Sequence, residues 1–532
     1  MALTPLSIRS NYWDSFQLRE ADLEFLYNYL LEIETPQTTE ELTSALIDER
    51  IRNEIESLRT QHESEGMIYL PKGHYQPDQI LSFPAMEWKQ GKVISVRPGN
   101  NPEYSAFEVI EVEFDQEGTK EFASGIENHP LNTPVAVKLD DPLLDKNYVV
   151  NKYGQNIGNQ IEETLRANDD LVRIAWRWFP RALLVDVNIG HLNLAEAVLD
   201  MAGGGPLPAQ ELLEQIELPT DVNSKLTEFS LNLALQEDER FDEVGPAGKI
   251  LWFLHRLEPE EVRSTPNYLK FNPTPYDHEQ VADLLEQIDR DVIDDLEPFD
   301  NGWEEEDQVT VSLIYPHWRA GTLPLTKNIA RFFPTAYEAP RVQFTFVDED
   351  TEQEFSGWVI RQANYITGLQ DWYSDQNLIP GSLVHIKRGK HPGEVIVKID
   401  KRRSSKEWIR TALIGADGGI VFAMLRQVVN SSFDERMAIA ISDPTTLDAM
   451  WQQGSRPRQN LEGTIHNMVR ELAKLNPQGN VHFQEIYSAV NLIKRCPPGL
   501  VLSILINRPW ASHLGNLYFK LEENKEESNK HE

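Results

Sequence analysis

Between Phe344 and Arg403 the chain spells out β structure more clearly than anywhere else. VQFTFVD and EFSGWVIRQ flank the polar turn DEDTEQ, with the period-two alternation that turns one face of a strand toward a core. LVHIKR and EVIVKID can pair across GKHPG, since Gly and Pro supply the turn. A strand in VTVSLIYPHW comes first, and a short helix around Leu369–Ser374 precedes Pro380-Gly381. Together these segments predict a small β barrel over 310–406.

The same stretch reverses the charge of its surroundings. The chain has 85 Asp and Glu against 50 Lys and Arg, a formal net charge of -35. From Arg361 to Arg410, however, ten basic residues face five acidic ones. Arg361, Lys387, Arg388, Lys390, Lys401, Arg402 and Arg403 are therefore the candidate nucleic-acid-binding residues, and all but Arg361 lie near one hairpin's ends, where they could form one phosphate-facing edge. The opposing expectation is that they pair with carboxylates of the same chain. A net charge this negative opposes casual binding to nucleic acid.

At 532 residues the chain exceeds one hydrophobic core and predicts several domains. Its apolar content of 40%, with 12 Trp and 21 Phe, suffices to fill them. The single Cys496 excludes an internal disulfide framework and a cysteine zinc cluster, and it points to a reducing compartment. No leader-like start and no long uncharged apolar run is evident, so a cytoplasmic location and no membrane partner are expected.

Taken in order, ADLEFLYNYLLEIE and TTEELTSALIDERIRNEIESLRTQ are helical, with Thr38 or Thr39 and Glu40 or Glu41 as a cap. Short β segments follow, so 15–68 reads as helices closed by a wing. Strands and turns over 69–150 predict a second small barrel, and 155–190 reads as a mixed bridge. LNLAEAVLDMAG, PLPAQELLEQIEL and DVNSKLTEFSLNLALQED are three helices, closed by a hairpin through Phe241, Val244, Ile250, Trp252 and Leu254. Residues 261–309 form an acidic helix and linker: 14 acidic residues and one Arg lie between 277 and 307, read as a solvated face. Residues 407–455 read as a helical connector with Trp408, Leu413, Ile414, Val421, Met424, Leu425 and Val428 as core. Three further helices and a strand make a unit over 458–521, and 522–532 is a polar tail.

Two resemblances arise from these residues. The unit at 192–257, through Arg240, Phe241, Gly245 and Trp252, resembles the winged-helix domain of the delta subunit of bacterial RNA polymerase and related modules. That resemblance implies a fold used for protein docking as well as nucleic-acid contact. The third helix here offers only Lys225 as a base, whereas base reading needs Arg, Lys, Asn or Gln. Residues 320–403, through Trp358, Trp372 and Tyr373, resemble the pseudobarrel of plant auxin-response DNA-binding factors.

Catalytic signatures are absent. Thirteen His supply no HExxH and no His/Cys pairing, and neither a P-loop, a GxGxxG strand–helix turn nor a GxSxG occurs. No cofactor, metal or catalytic residue is expected. The fold expected is α+β and multidomain, combining winged helix-turn-helix units with small β barrels. The function expected is a non-enzymatic, nucleic-acid- or RNA-polymerase-associated adaptor or regulator of transcription or DNA transactions, with DNA or RNA polymerase as the expected partner. The alternatives are a protein-interaction scaffold without nucleic-acid contact and a divergent metal-dependent nuclease.

Overall fold

The computed structural model describes residues 11–64, 67–83, 86, 89–101, 106–114, 118–132, 141–216, 218, 224–297, 306–336, 339–415, 419–452 and 460–522, with the side chains of 58–64 and of 403–404 outside that description. The fold is α+β and multidomain, and it contains a nearly closed seven-stranded, barrel-like sheet. The chain divides into two compact units, residues 1–186 with 219–230, and residues 187–218 with 231–532.

In the first unit, helices Glu20–Ile33, Thr39–Ser64 and Lys146–Arg166 surround one core. The expected cap is present: the Glu41 N–H donates to Thr38 Oγ1, and the Thr38 N–H donates to the Glu41 carboxylate at 2.7 Å. Leu26, Leu30, Leu42 and Leu46 from the first two helices meet Val149, Ile157, Ile161 and Leu165 from the third. A three-stranded sheet, ordered Gln37–Thr38, Arg177–Pro180, Leu171–Ile174, closes the module. Trp178 Nε1 donates to Thr39 Oγ1 at 3.0 Å.

This corrects two expectations. The strands after Ser64 are not the wing of 15–68, and 155–190 is not a bridge. The third helix and hairpin of the N-terminal module arrive only after an insertion. That insertion is a five-stranded sheet ordered 67–68, 80–83, 89–98, 108–114, 118–124, built on Tyr69, Leu81, Phe83, Val93, Ile110, Val112 and Phe114. Local pattern could not tell a wing from an inserted domain, because both begin with a short strand after a helix.

The second unit begins with helices Ile189–Met201 and Ala209–Leu213 and ends its first module with strands Phe241–Glu243 and Trp252–Leu254. Leu231 and Leu235, late in helix Ser224–Gln236, join Leu192, Leu199, Leu212, Phe241 and Trp252 in its core. An isolated bridge from Leu207 to Trp252 supplies a third β element. Gly245 is required at the hairpin, where a Cβ would collide with the Lys249 carbonyl.

The barrel-like sheet has the order Gln308–Ser312, Leu383–Arg388, Glu394–Lys398, Arg341–Asp348, Glu354–Ile360, Tyr365–Thr367, Thr322–Pro324. Neighbours are antiparallel except Arg341–Asp348 with Glu394–Lys398. Val342, Phe344 and Phe346 alternate inward and are buried with Val384, Ile386, Val395 and Val397, as the alternation predicts.

The final module has helices Leu461–Ala473, Phe483–Asn491 and Pro498–Asn507 and strands ordered Asn480–His482, Tyr518–Leu521, Ala511–Gly515. The order helix, β element, helix, helix, strand, strand thus occurs three times, with the first β element beside the last strand each time. From 523 on, the expected tail lies outside the described residues.

Residues 407–455 are not a helical connector. Strands Lys401–Ile414 and Ile420–Ser431 form a long antiparallel ribbon, and among the described residues of this span only Pro444–Gln452 is helical. Apolar residues here fit a helix period by coincidence. Trp408, Val421, Met424, Leu425 and Val428, expected as core, are all exposed.

The acidic segment also departs from a solvated face. Val281, Leu285, Ile288 and Val292 belong to the core of the last module. Asp294 is buried, and both Asp294 and Asp295 grip the fully buried Arg495.

Candidate nucleic-acid interface

The seven predicted basic residues do not form one open edge. Lys387 Nζ lies 2.7 Å from Glu349 Oε1, and Lys398 takes the other oxygen of the same carboxylate at 2.6 Å. Hydrogen bonds from Lys387 and Lys398 hold Glu349 below the usual carboxylate range. Lys401 pairs with Asp350 at 3.1 Å. Both acids come from the turn between strands Arg341–Asp348 and Glu354–Ile360, so the chain neutralises its own hairpin. Arg361 donates to the Ala336 carbonyl and Arg388 to the Arg331 carbonyl. Arg402 lies over the Phe433 ring. Lys390 is exposed on the hairpin turn, and the Arg403 side chain lies outside the described residues.

The third helix of the final module is no better placed to read bases. From Pro498 to Ser503 it is continuously buried. Gly499 at its start donates its N–H to Glu297 Oε2 at 3.0 Å, and Tyr276 donates to the same carboxylate. An intramolecular carboxylate therefore occupies the helix terminus that would favour a phosphate. Burial raises the Glu297 carboxyl, against the Tyr276 and Gly499 hydrogen bonds.

Helix Lys146–Arg166 is different. Its inner face, Val149, Tyr153, Ile157, Ile161 and Leu165, is buried in the module core. Asn147, Asn151, Gln155 and Asn159 recur at four-residue intervals on the opposite face, with Tyr148, Lys152 and Asn156 in the adjacent row. All seven are exposed. From Lys146 to Ile161 no carboxylate occurs. Asp145 caps the helix by accepting from the Tyr148 N–H at 2.9 Å, so nothing acidic interrupts the amide stripe for four turns. Hydrogen bonding with the Tyr153 and Tyr148 hydroxyls raises Lys152 above its ordinary range and keeps it cationic.

Beside the helix in sequence, the hairpin Leu171–Pro180 turns at Ala175 and Trp176, both with positive φ. Arg173 is held by Glu162 at 2.6 Å and stacks toward Trp176 and Trp178. Arg177 donates to the Pro36 carbonyl and pairs with Glu41 while remaining exposed.

This helix carries no cluster of positive charge, so a count of basic residues passes over it. The usable signal was the four-residue spacing of amides in sixteen residues without an acid. Among the described residues no group of three or more His, Cys, Asp or Glu is placed to hold a metal ion, and no helix is long and apolar enough to cross a membrane. No family model matches the chain, and no curated protein or solved structure matches it either.

Proposed function

We propose that this protein is a non-enzymatic, DNA-associated adaptor whose N-terminal module reads duplex DNA with the solvent face of helix Lys146–Arg166. The observation that carries this is the amide stripe Asn147, Asn151, Gln155 and Asn159 beside Lys152, free of carboxylates in a chain of net charge -35. Asn and Gln make bidentate pairs with adenine N6 and N7 in the major groove, each good pair discriminating by about 1–3 kcal/mol. Lys152 supplies a phosphate contact. The thrice-repeated order of elements supports reading the three modules as winged helices, with Lys146–Arg166 in the position of a recognition helix. A place in transcription rests on the likeness of 192–257 to the delta-subunit domain.

Fluorescence anisotropy with A·T-rich and G·C-rich duplexes, at low and moderate salt, tests the proposal. Preference for the A·T-rich duplex, lost in Asn151→Ala/Gln155→Ala, is the expected result. Failure of both duplexes to bind at low salt would leave a protein scaffold, the second reading, which the exposed apolar residues of the ribbon favour.

A further inference from the structure

The ribbon of strands Lys401–Ile414 and Ile420–Ser431 carries a surface that the DNA reading does not use. Residues opposite each other in its register share a face. One face therefore holds Lys406 with Val428, Trp408 with Arg426, and Arg410 with Met424. The other holds Ile409 with Leu425 and Leu413 with Val421. Near the turn, Ala412, Ile420 and Phe422 are anchored in the core of the last module. Between that anchor and the base of the ribbon, Trp408 is 63% exposed and Val428 58%, Met424 and Leu425 are also exposed, and Val421 is exposed within the anchored stretch on its other face.

Two features narrow what covers this surface. First, Ile420–Ser431 is the terminal strand of its sheet and pairs only with Lys401–Ile414 among the described residues. The exposed aliphatic side chains stand on both faces beside that open edge, as an added strand would need and as a partner docked on one face would not. Second, the ribbon is locally basic. Lys401 is held by Asp350 and the buried Arg410 by Glu485, so the exposed charge beside Trp408 is that of Lys406 and Arg426. Lys406 and Arg426 are exposed on the face of Trp408, and Arg426 lies over its ring. A second copy of the chain is disfavoured, because two antiparallel ribbons would set like charges side by side in a chain already at -35.

We propose that the open edge of strand Ile420–Ser431 accepts an extended acidic segment of a partner protein as an added strand. Main-chain hydrogen bonds to the edge supply affinity. Alternate residues of the incoming segment divide between the faces: carboxylates lie beside Arg426, with Lys406 one strand further in on the same face, and aliphatic residues lie beside Leu425 and Val421. This interaction does not rest on the DNA reading, and either can stand without the other.

The test uses the full chain and a fluorescein-labelled decapeptide alternating Glu and Val, followed by anisotropy. Three further probes are a Lys and Val decapeptide, the Glu and Val peptide N-methylated at alternate residues, and a single-stranded oligonucleotide. The expected result is binding of the acidic peptide at least tenfold tighter than the basic one, abolished by N-methylation. The variant Lys406→Glu/Arg426→Glu, altered only at exposed positions, is expected to invert the preference. Equal binding of both peptides, or of the N-methylated peptide, would overturn strand addition. So would displacement of the peptide by the oligonucleotide, which would make the ribbon a nucleic-acid surface. Absence of peptide binding, or ribbon-dependent dimers in sedimentation, would also overturn it, without touching the duplex preference assigned to helix Lys146–Arg166.

Discussion

Arg495 and Asp294 face each other with neither side chain exposed, Nη1 lying 2.7 Å from Oδ2. Nη2 bridges to Asp294 Oδ1 at 2.8 Å and to Asp295 Oδ1 at 2.6 Å, and Tyr487 donates its hydroxyl to Asp294. His317 meets Asp295 at 2.8 Å and Thr322 at 2.9 Å. Burial works against the Arg495 charge, but Asp294 and Asp295 hold the guanidinium well above its ordinary range. Burial likewise opposes the Asp295 charge, yet Arg495 and His317 bring its carboxyl down to about 2. The acidic segment is thereby locked to the last module and to the helix Tyr315–Ala320.

Replacing Arg495 by Leu should strand two buried carboxylates and cost about 3–5 kcal/mol. Calorimetry of the full chain is expected to show the transition of this core lowered or lost. Asp294→Asn/Arg495→Leu should recover part of it, because one of the orphaned charges is then gone.

Gly499→Ala tests the same cover from its other end. A Cβ there would run into the Tyr276 hydroxyl and the Glu297 carboxylate. Hydrogen exchange in residues 276–297 should rise, while the N-terminal module keeps its wild-type protection.

Nucleic-acid binding should ignore the residues that charge alone nominates. Lys387→Ala/Lys401→Ala removes cations already held by Glu349 and Asp350, and duplex affinity should change less than about twofold. Lys152→Ala should instead lower the slope of log affinity against log salt by about one. Titrations at three salt concentrations separate the two.

Glu258 gives stability a pH dependence of unusual sign. Burial and the neighbouring Asp242 carboxylate push its carboxyl up to about 8, against the pull of Arg341 2.7 Å away. Between 4.5 and about 8 the folded chain holds a proton that the unfolded chain has released. The contribution is therefore fully present below 4.5 and is lost as pH rises through 8. Glu258→Gln, which stays neutral, should melt close to wild type at pH 5 and higher than wild type at pH 9.

Sequence alone determined the elements that depend on neighbours in the chain. Thr38 and Glu41 cap a helix three residues apart, Val342 to Phe346 alternate into a core, and Phe241 and Trp252 close a hairpin. Each follows from backbone geometry within a few residues. Tertiary structure decided what depends on partners far along the chain. Lys387 is neutralised by Glu349, Asp294 and Asp295 are taken inside by Arg495, and helix Lys146–Arg166 returns across an inserted sheet to complete a core begun at Leu26. Trp408 and Val428 looked like core because apolar spacing records period, not burial. Charge counts could not expose these outcomes, since a side chain's effective charge is set by the distance to its counter-ion and by the solvent left around it.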